Sequence, residues 1–146
     1  MRISDVLRSK GSAVATVRPE ATVRDLLAGL AEQNIGAMVV VGSAGVIAGI
    51  VSERDVVRRM YEHGPEVLEV PVAQIMTAVV ASCGMDSSVD ELSELMTNNR
   101  VRHIPVLVDG RLAGIVSIGD VVKARLEELQ SAQEHLHAYI TQGLSL

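Results

Sequence analysis

An internal repeat constrains the fold of this chain more than any other feature of its sequence. The pattern Gly-Ile-Val-Ser-x-x-Asp-Val-Val begins at Gly49 and returns unchanged at Gly114. A second pattern, a hydroxyl residue followed by Val-x-x-Leu, begins at Thr22 and again at Ser88. Matches that recur in the same order indicate duplicated structural units. The chain is therefore predicted to fold as two successive units of about sixty residues each.

Each unit predicts the same order of elements. Thr22 and Ser88 are the expected N-caps of the first helices, because the apolar residues after them keep helical spacing. Val- and Ile-rich runs separated by Gly-containing turns predict hairpins. The predicted elements are first strands over 13–17 and 79–82, hairpin strands over 37–41 with 46–51 and over 103–108 with 111–116, and closing helices from about Glu53 and Gly119. The fold class is α+β: two β-α-β-β-α repeats related by pseudo-two-fold symmetry, with a short N-terminal helix and an extended C-terminal helix.

The repeats also set the expected boundaries. Glycine and proline cluster between the units, at Gly64-Pro65 and Pro71, which is typical of a connector. We expect a first repeat over 1–63, a connector over 64–71, a second repeat over 72–127 and a helical extension over 128–146. Because a sixty-residue unit is marginal alone and its strands are apolar on both faces, we expect the two sheets to pack on each other.

Composition excludes several classes of function. Hydrophobic residues make up 48% of the 146 residues, which is too apolar for an intrinsically disordered chain. Trp and Phe are absent and the net charge is −5, which argues against base stacking and against a general nucleic-acid binder. We expect no signal peptide, because the first residues carry a charge at Asp5 and no apolar run follows it. No apolar run approaches the ~20 residues of a membrane span, and the one cysteine, Cys83, fits a reducing compartment. We expect a cytoplasmic protein with no nucleic-acid or membrane partner.

The repeated residues resemble a tandem pair of cystathionine-β-synthase (CBS) domains, known as a Bateman module. The resemblance rests on the two Gly-Ile-Val-Ser-x-x-Asp patterns and on Arg102-His103-Ile104-Pro105-Val106, and it covers about residues 3–127. It implies adenosine-containing ligands in two clefts between the sheets, with AMP expected first and ATP, ADP, NAD or S-adenosylmethionine as alternatives. It also implies a regulatory role, a regulated partner protein that the sequence does not identify, and a homodimer.

The resemblance assigns roles to the Ser-x-x-Asp residues. Asp55 and Asp120 are expected to accept hydrogen bonds from the ribose hydroxyls, since charge-assisted bonds of this kind are strong. Ser52 and Ser117 lie at helix N-termini, which favour an anion, and Gly119 allows close approach of a ligand. The alternative is a capping box, in which serine and aspartate only close the helix start. The two interpretations are compatible.

The resemblance also implies an apolar slot for the base, read by backbone groups at strand ends. The alternative is that these are ordinary strand residues of the core. The expected contacts are Thr77, Val79, Val80, Ile104 and Pro105 in one site, and Ala13, Val14, Met38 and Val39 in the other.

Phosphate recognition is expected from cationic side chains. The candidates are Arg102, His103, Arg54 and Arg58, because the forked guanidinium suits phosphate. The alternatives are solvated surface arginines and a hydrogen-bonded histidine. The first repeat lacks the Arg-His pair, so two equivalent sites are not expected. If one cleft works alone, the residues favour the cleft that contains Asp120.

The closing helix of the second repeat continues beyond the repeat. Val122, Leu126, Leu129, Leu136 and Ile140 form an apolar stripe close to heptad spacing. The stripe packs either on the module itself or on a second copy, and both readings stay open. Catalytic and metal sites are not expected, since no nucleophile–base pair, phosphate loop or ligand cluster is present. The main prediction is a ligand-sensing module, and the alternative is a ligand-free dimerisation scaffold.

Overall fold

The computed structural model describes residues 1–11, 13–79 and 81–144. The first repeat contains helix α1, strand β1, helix α2, strands β2 and β3, and helix α3. The second contains helix α4, strands β4 and β5, and helix α5. Their bounds are α1 Ile3–Lys10, β1 Thr16–Val17, α2 Val23–Gln33, β2 Ala37–Val41, β3 Ile47–Ser52, α3 Glu53–His63, α4 Val89–Asn99, β4 His103–Val108, β5 Arg111–Ser117 and α5 Ile118–Leu144. The α+β repeat fold predicted from the sequence is confirmed.

Side-chain caps fix where the helices begin. The Thr22 hydroxyl accepts the backbone N–H of Asp25 at 3.1 Å, and the Ser88 hydroxyl accepts that of Glu91 at 3.0 Å. Each bond satisfies one of the helix-start donors that would otherwise lack a partner. The second hairpin turns at Asp109 and Gly110, both with positive φ (52° and 77°), the conformation that a two-residue hairpin turn needs.

The two sheets are unequal. One has the order β1-β2-β3, with β1 parallel to β2, and the other contains only β4 and β5. The predicted first strands are therefore too long in one repeat and wrong in the other. Only Thr16–Val17 is a strand in the first repeat. In the second, isolated bridges join Thr77 to Ile50 and Cys83 to Val106, and none of the described residues between Thr77 and Cys83 lies in a strand.

Each hydrophobic cluster is completed by the opposite repeat. Ile3, Val6 and Leu7 of α1 are buried in the cluster of α4, β4 and β5. Val72 and Ile75, from the start of the second repeat, are buried in the cluster of α2, β2 and β3. Burial of these exchanged residues holds the repeats together through the hydrophobic effect. Val39 and Pro105, outside both clusters, are also buried.

Helix α5 projects beyond its cluster. Val121 and Ala124 are its buried residues, whereas every side chain described from Leu129 to Gly143 is exposed. At 1.5 Å per residue, its 27 residues span about 40 Å. The sequence left two possibilities for the apolar stripe, packing on the module itself or on a second copy. Packing on the module itself is not observed for this part of the helix.

Candidate functional site

The two Ser-x-x-Asp turns have nearly the same local geometry. Asp55 Oδ2 accepts the backbone N–H of Ser52 at 2.8 Å, and Asp120 Oδ2 accepts that of Ser117 at 2.8 Å. In return, the serine hydroxyls accept the aspartate N–H groups at 3.4 Å and 3.2 Å. Both turns are therefore capping boxes at the starts of α3 and α5. Each leaves Oδ1 of its aspartate outside the box.

A large cavity, the first cleft, surrounds Asp55. It has a volume of about 490 Å³, within the range of about 300–1,000 Å³ typical of small-molecule sites. Both repeats contribute to its wall. The lining residues are Gly36, Ile50, Ser52, Glu53, Arg54, Asp55, Arg58, Thr77, Ala78, Val79, Ala81, Arg100, Val101, Arg102 and His103.

The first cleft concentrates unpaired positive charge. Among the described residues, seven of the 13 lysine and arginine side chains form ion pairs with acidic groups. Four of the other six line this one cavity: Arg54, Arg58, Arg100 and Arg102. With Glu53 and Asp55 as the acidic lining residues, the cleft has an excess of two positive charges in a protein whose net charge is −5. Such a field attracts anions.

His103 connects the surroundings of both aspartates. Burial lowers the pKa of its imidazole most, and the charge of Lys10 lowers it further. The charge of Asp120 raises this pKa, and that of Arg102 lowers it. The pKa therefore lies below its ordinary value of 6.5. His103 is accordingly neutral at pH 7 and can offer one donor and one acceptor to a ligand.

The cleft around Asp120, the second cleft, is occupied by a lysine. Lys10 Nζ donates to Asp120 Oδ2 at 2.5 Å and to the carbonyl oxygen of Ile115 at 2.8 Å. Burial by itself raises the pKa of Asp120, but the Lys10 and Ser117 hydrogen bonds outweigh it and leave that pKa below its ordinary value. The cavity that Lys10 and Asp120 line lies between α1 and α5 and has a volume of about 70 Å³.

The structure brings together eight of the residues predicted for the site. Ser52, Arg54, Asp55, Arg58, Thr77, Val79, Arg102 and His103 all line the first cleft. Asp120 lies in the second cleft, and Ser117 and Gly119 adjoin it without lining either cavity.

The predicted base-slot residues are dispersed. Met38, Val39, Ile104 and Pro105 are buried and line neither cavity, because their side chains fill the protein interior. Ala13 is exposed and Val14 half-buried, also away from both cavities. Val80 lies outside the described residues.

Two important contributions were not predicted among the site residues. Arg100 occupies the left-handed C-cap of α4 (φ 54°) and lines the first cleft. Lys10 reaches Asp120 from the end of α1. Arg100 could have been selected, because it stands two residues before the predicted Arg102. The sequence contains no signal for Lys10, since only the fold brings α1 to the second repeat.

Three further observations concern the thiol, metal-ligating groups and membrane-spanning helices. Cys83 is buried, and burial raises the pKa of its thiol to about 11, which leaves it protonated and unreactive at neutral pH. Within the described ranges, no group of three or more metal-ligating side chains occurs. The same ranges contain no helix long and apolar enough to cross a membrane.

Comparison with known proteins agrees with this geometry. The family model of the CBS domain matches residues 3–62 and again residues 72–127. The CBS domain-containing protein CBSX3 of Arabidopsis thaliana, mitochondrial by name, is 38% identical over 149 residues, covering 97% of this chain and 72% of that protein. The crystal structure of the CBS-domain containing protein ATU1752 from Agrobacterium tumefaciens is 44% identical with a TM-score of 0.82, covering 86% of this chain and 99% of that chain.

A more distant structure shares the fold. The CBS domain pair of protein MJ0100, solved in complex with 5′-methylthioadenosine and S-adenosyl-L-methionine, aligns with a TM-score of 0.77 at 21% identity. The alignment covers 88% of this chain and 98% of that chain. The repeated turns, the exchanged clusters and the family match lead to one conclusion: the chain belongs to the CBS domain family and carries two CBS domains in tandem as a Bateman module.

Proposed function

We propose that this protein is a regulatory module that binds an adenine nucleotide in the first cleft and transmits the ligand state to a partner protein. The observation that supports this most is the group of four unpaired arginines around one cavity of nucleotide size. They line the same cavity as Asp55 in a protein whose net charge is −5. An anionic ligand with hydroxyl donors satisfies both features.

The number of arginines favours a ligand with two or more phosphates. Arg54 and Arg58 are one turn apart on α3, while Arg100 and Arg102 precede β4. Two bidentate guanidinium groups already engage most of the oxygens of one phosphate. Four are more than AMP needs, so we place ADP, ATP or a dinucleotide such as NAD ahead of it. This order revises the expectation from the sequence.

The remaining walls suit a nucleoside. Asp55 Oδ1 accepts the Thr77 hydroxyl at 3.3 Å, a long contact that a ribose hydroxyl can replace. Apolar side chains line another part of the wall, where a base can lie: Ile50, Ala78, Val79, Ala81 and Val101. The choice of adenosine rests on the two adenosine-containing ligands of the MJ0100 pair, which has this fold.

Ligand binding would connect the two repeats. A polyphosphate held by Arg54 and Arg102 takes contacts from both, and it therefore stabilises one relative arrangement of the repeats. A partner protein that prefers this arrangement then responds to the ligand concentration. No bond is made or broken in this mechanism, so the protein acts without catalysis. The cytoplasmic location stays a prediction.

Nucleotide titration after ligand removal tests the proposal. The protein is unfolded and refolded to remove co-purified ligand, and its unfolding is then followed with AMP, ADP, ATP, NAD, S-adenosylmethionine or GDP. A ligand at 100 times its dissociation constant should raise the free energy of unfolding by about 2.7 kcal/mol. We expect this with ADP or ATP, a smaller effect with AMP at equal concentration, and none with GDP.

Matched variants locate the site. Asp55→Ala should weaken ADP binding at least about tenfold, because it removes a charged acceptor, whereas Asp120→Ala should change the affinity less than about twofold. The reverse pattern would move the site to the second cleft. If no adenine ligand stabilises the protein, the sensing function is wrong and the ligand-free dimerisation scaffold replaces it.

We also propose that two copies pair through α5. Val122, Leu126, Leu129, Leu136 and Ile140 are each at least half exposed and follow heptad spacing. Beyond Glu128 the described side chains of α5 are all exposed, and a helix of that length that buries no apolar face is marginal in water, so the stripe favours a partner. A second copy fits because the stripe is complementary to itself, and in a parallel pair its one polar interruption, Gln133, faces its own equivalent.

Light scattering after size exclusion tests this pairing. Leu136→Lys should convert a dimer into a monomer, because it places a charge in the apolar seam. Glu134→Lys is the matched control on the polar face and should leave the dimer intact. A protein that is monomeric without substitution, or a dimer that survives Leu136→Lys, would contradict pairing through this helix.

A further inference from the structure

The difference between the two clefts does not arise from their signature residues. The capping boxes of Asp55 and Asp120 agree in their bonding pattern, with the same 2.8 Å bond from serine N–H to aspartate Oδ2. Yet the cavity at Asp55 measures about 490 Å³ and the one at Asp120 about 70 Å³. The cause must therefore lie in the residues outside each turn that contact its aspartate, which are Thr77 at Asp55 and Lys10 at Asp120.

Both residues belong to a segment that packs against the opposite repeat: α1 against the second repeat, and the start of the second repeat against the first. At the first cleft, Thr77 pairs with Ile50 through two backbone hydrogen bonds of 2.9 Å, so the chain is extended and only a hydroxyl reaches the carboxylate. At the second cleft, α1 stays helical as far as Lys10. Its ammonium, not a backbone amide, donates to the carbonyl oxygen of Ile115, the residue that corresponds to Ile50.

We infer that Lys10 closes the second cleft from within the chain, because its ammonium lies against the carboxylate of Asp120 and so hinders the approach of a nucleotide ribose to that carboxylate. The ammonium is a charged donor and bonds the carboxylate at 2.5 Å. Its side chain is 31% exposed and that of Asp120 is 21% exposed, so the pair is partly shielded from water. A ligand hydroxyl that is to bond Asp120 Oδ2 must displace this cation, and the existing charge-assisted bond is stronger than a bond from a neutral hydroxyl.

The consequence is one nucleotide per chain. The cavity beside the Lys10–Asp120 pair, of about 70 Å³, is far below the volume of about 300 Å³ at which small-molecule sites begin. Lys10 and Asp120 both line that cavity, so removal of the lysine side chain enlarges it and frees the carboxylate. Lys10 is therefore a specificity residue: it makes one of two nearly identical turns unavailable to ligand.

Binding stoichiometry tests the inference. ADP is titrated by calorimetry into the full chain, into Lys10→Ala, and into Lys10→Ala combined with Asp120→Ala. Alanine has the highest helix propensity, so α1 should persist; circular dichroism verifies it, and Lys10→Ser is a second variant should Lys10→Ala unfold. Arg8→Ala is the matched control, because Arg8 lies on the same helix and pairs with Asp5 instead.

Lys10→Ala should bind one more ADP per chain than the unsubstituted protein, and the added site should vanish in the double variant. Arg8→Ala should bind as the unsubstituted protein does. The choice of ADP rests on the proposed function, but the readout is the gain of a site, which is separate from binding at Asp55. If the unsubstituted protein binds no ADP, the proposed function fails while a gain in Lys10→Ala still supports the closure. A folded Lys10→Ala without a gained site overturns the inference.

Discussion

The first and second clefts show how the same turn acquires different properties in different surroundings. Both begin a helix with a serine cap and a returning aspartate, yet one aspartate faces a cavity with four arginines and the other is held by Lys10. Part of this difference comes from chain that crosses between the repeats, since α1 packs in the second cluster, whereas Val72 and Ile75 pack in the first. The turn is the same in both repeats, and the chain that crosses to it gives each aspartate a different neighbour.

The largest expected effect is a loss of stability on substitution of Gly49, which lies against Thr77, compared with Gly114, which lies against Leu7 of α1. A Cβ at Gly49 would lie 2.6 Å from the Thr77 carbonyl oxygen, which is fixed by its bond to Ile50. A Cβ at Gly114 would lie 2.8 Å from a Leu7 methyl group, which can rotate away. Gly49→Ala should cost about 3 kcal/mol of unfolding free energy and Gly114→Ala about 1 kcal/mol.

Urea unfolding of both variants measures this difference. The slope with urea concentration should stay unchanged, so the shift in midpoint reports stability. Equal losses would mean that the Thr77 segment yields as easily as a side chain, and the distinction between a rigid and an adaptable contact would fail.

The next effect concerns the arginines of the first cleft. Removal of one guanidinium from a phosphate removes a charged hydrogen bond, so Arg102→Ala or Arg54→Ala should weaken ADP binding about tenfold. Lys123→Ala is the control, because Lys123 lines the second cavity. Calorimetry at two salt concentrations should show weaker binding at the higher one, through screening. Equal losses in all three variants would indicate a diffuse charge effect and no local phosphate site.

A smaller effect is expected from acid on the second cleft. The pKa of Asp120 is lowered in the folded protein, so its contribution to stability is present above its ordinary pKa of 3.8 and is lost as the pH falls through the folded value. Asp120→Asn should cost about 1 kcal/mol at pH 6, a modest value because the pair is partly exposed. The cost should decrease as the pH falls below 3.8 and should disappear below the lowered pKa of the folded protein. In Lys10→Ala, the same substitution should cost clearly less at pH 6, and an equal cost there would contradict the pairing.

The turns could be predicted from sequence, whereas their surroundings could not. Thr22, Ser52 and Ser88 are caps because a hydroxyl before an apolar helical stripe has one local use. The bounds of β4 follow equally from its aliphatic residues and the Asp-Gly turn. The pairing of Lys10 with Asp120 spans 110 residues and depends on the exchange of α1, which no local pattern encodes. The predicted strand near Val79 failed for the same reason, since that segment is shared between two sheets.

The smallest expected effect is a titration that reports on both clefts through His103. In the free protein its pKa lies below 6.5, chiefly because burial disfavours the charged imidazole, and Lys10 and Arg102 add to this. The unfolded chain therefore takes up a proton first, and stability falls as the pH drops through 6.5. Phosphate bound in the first cleft should raise the pKa, because an anion favours imidazolium. Lys10→Ala should raise it without any ligand, because a nearby cation is removed.

Proton NMR of the imidazole measures both shifts. The pH dependence of ADP affinity provides a second measurement. Between pH 7.5 and pH 6, this affinity should change less than about threefold, as expected for one partly exposed charge. The phosphate of the ligand also titrates in this range, so only the difference from His103→Gln counts. A His103 pKa that responds to ADP but not to Lys10→Ala would place the imidazole in the first cleft alone, and the second cleft would then lose its electrostatic link to the first.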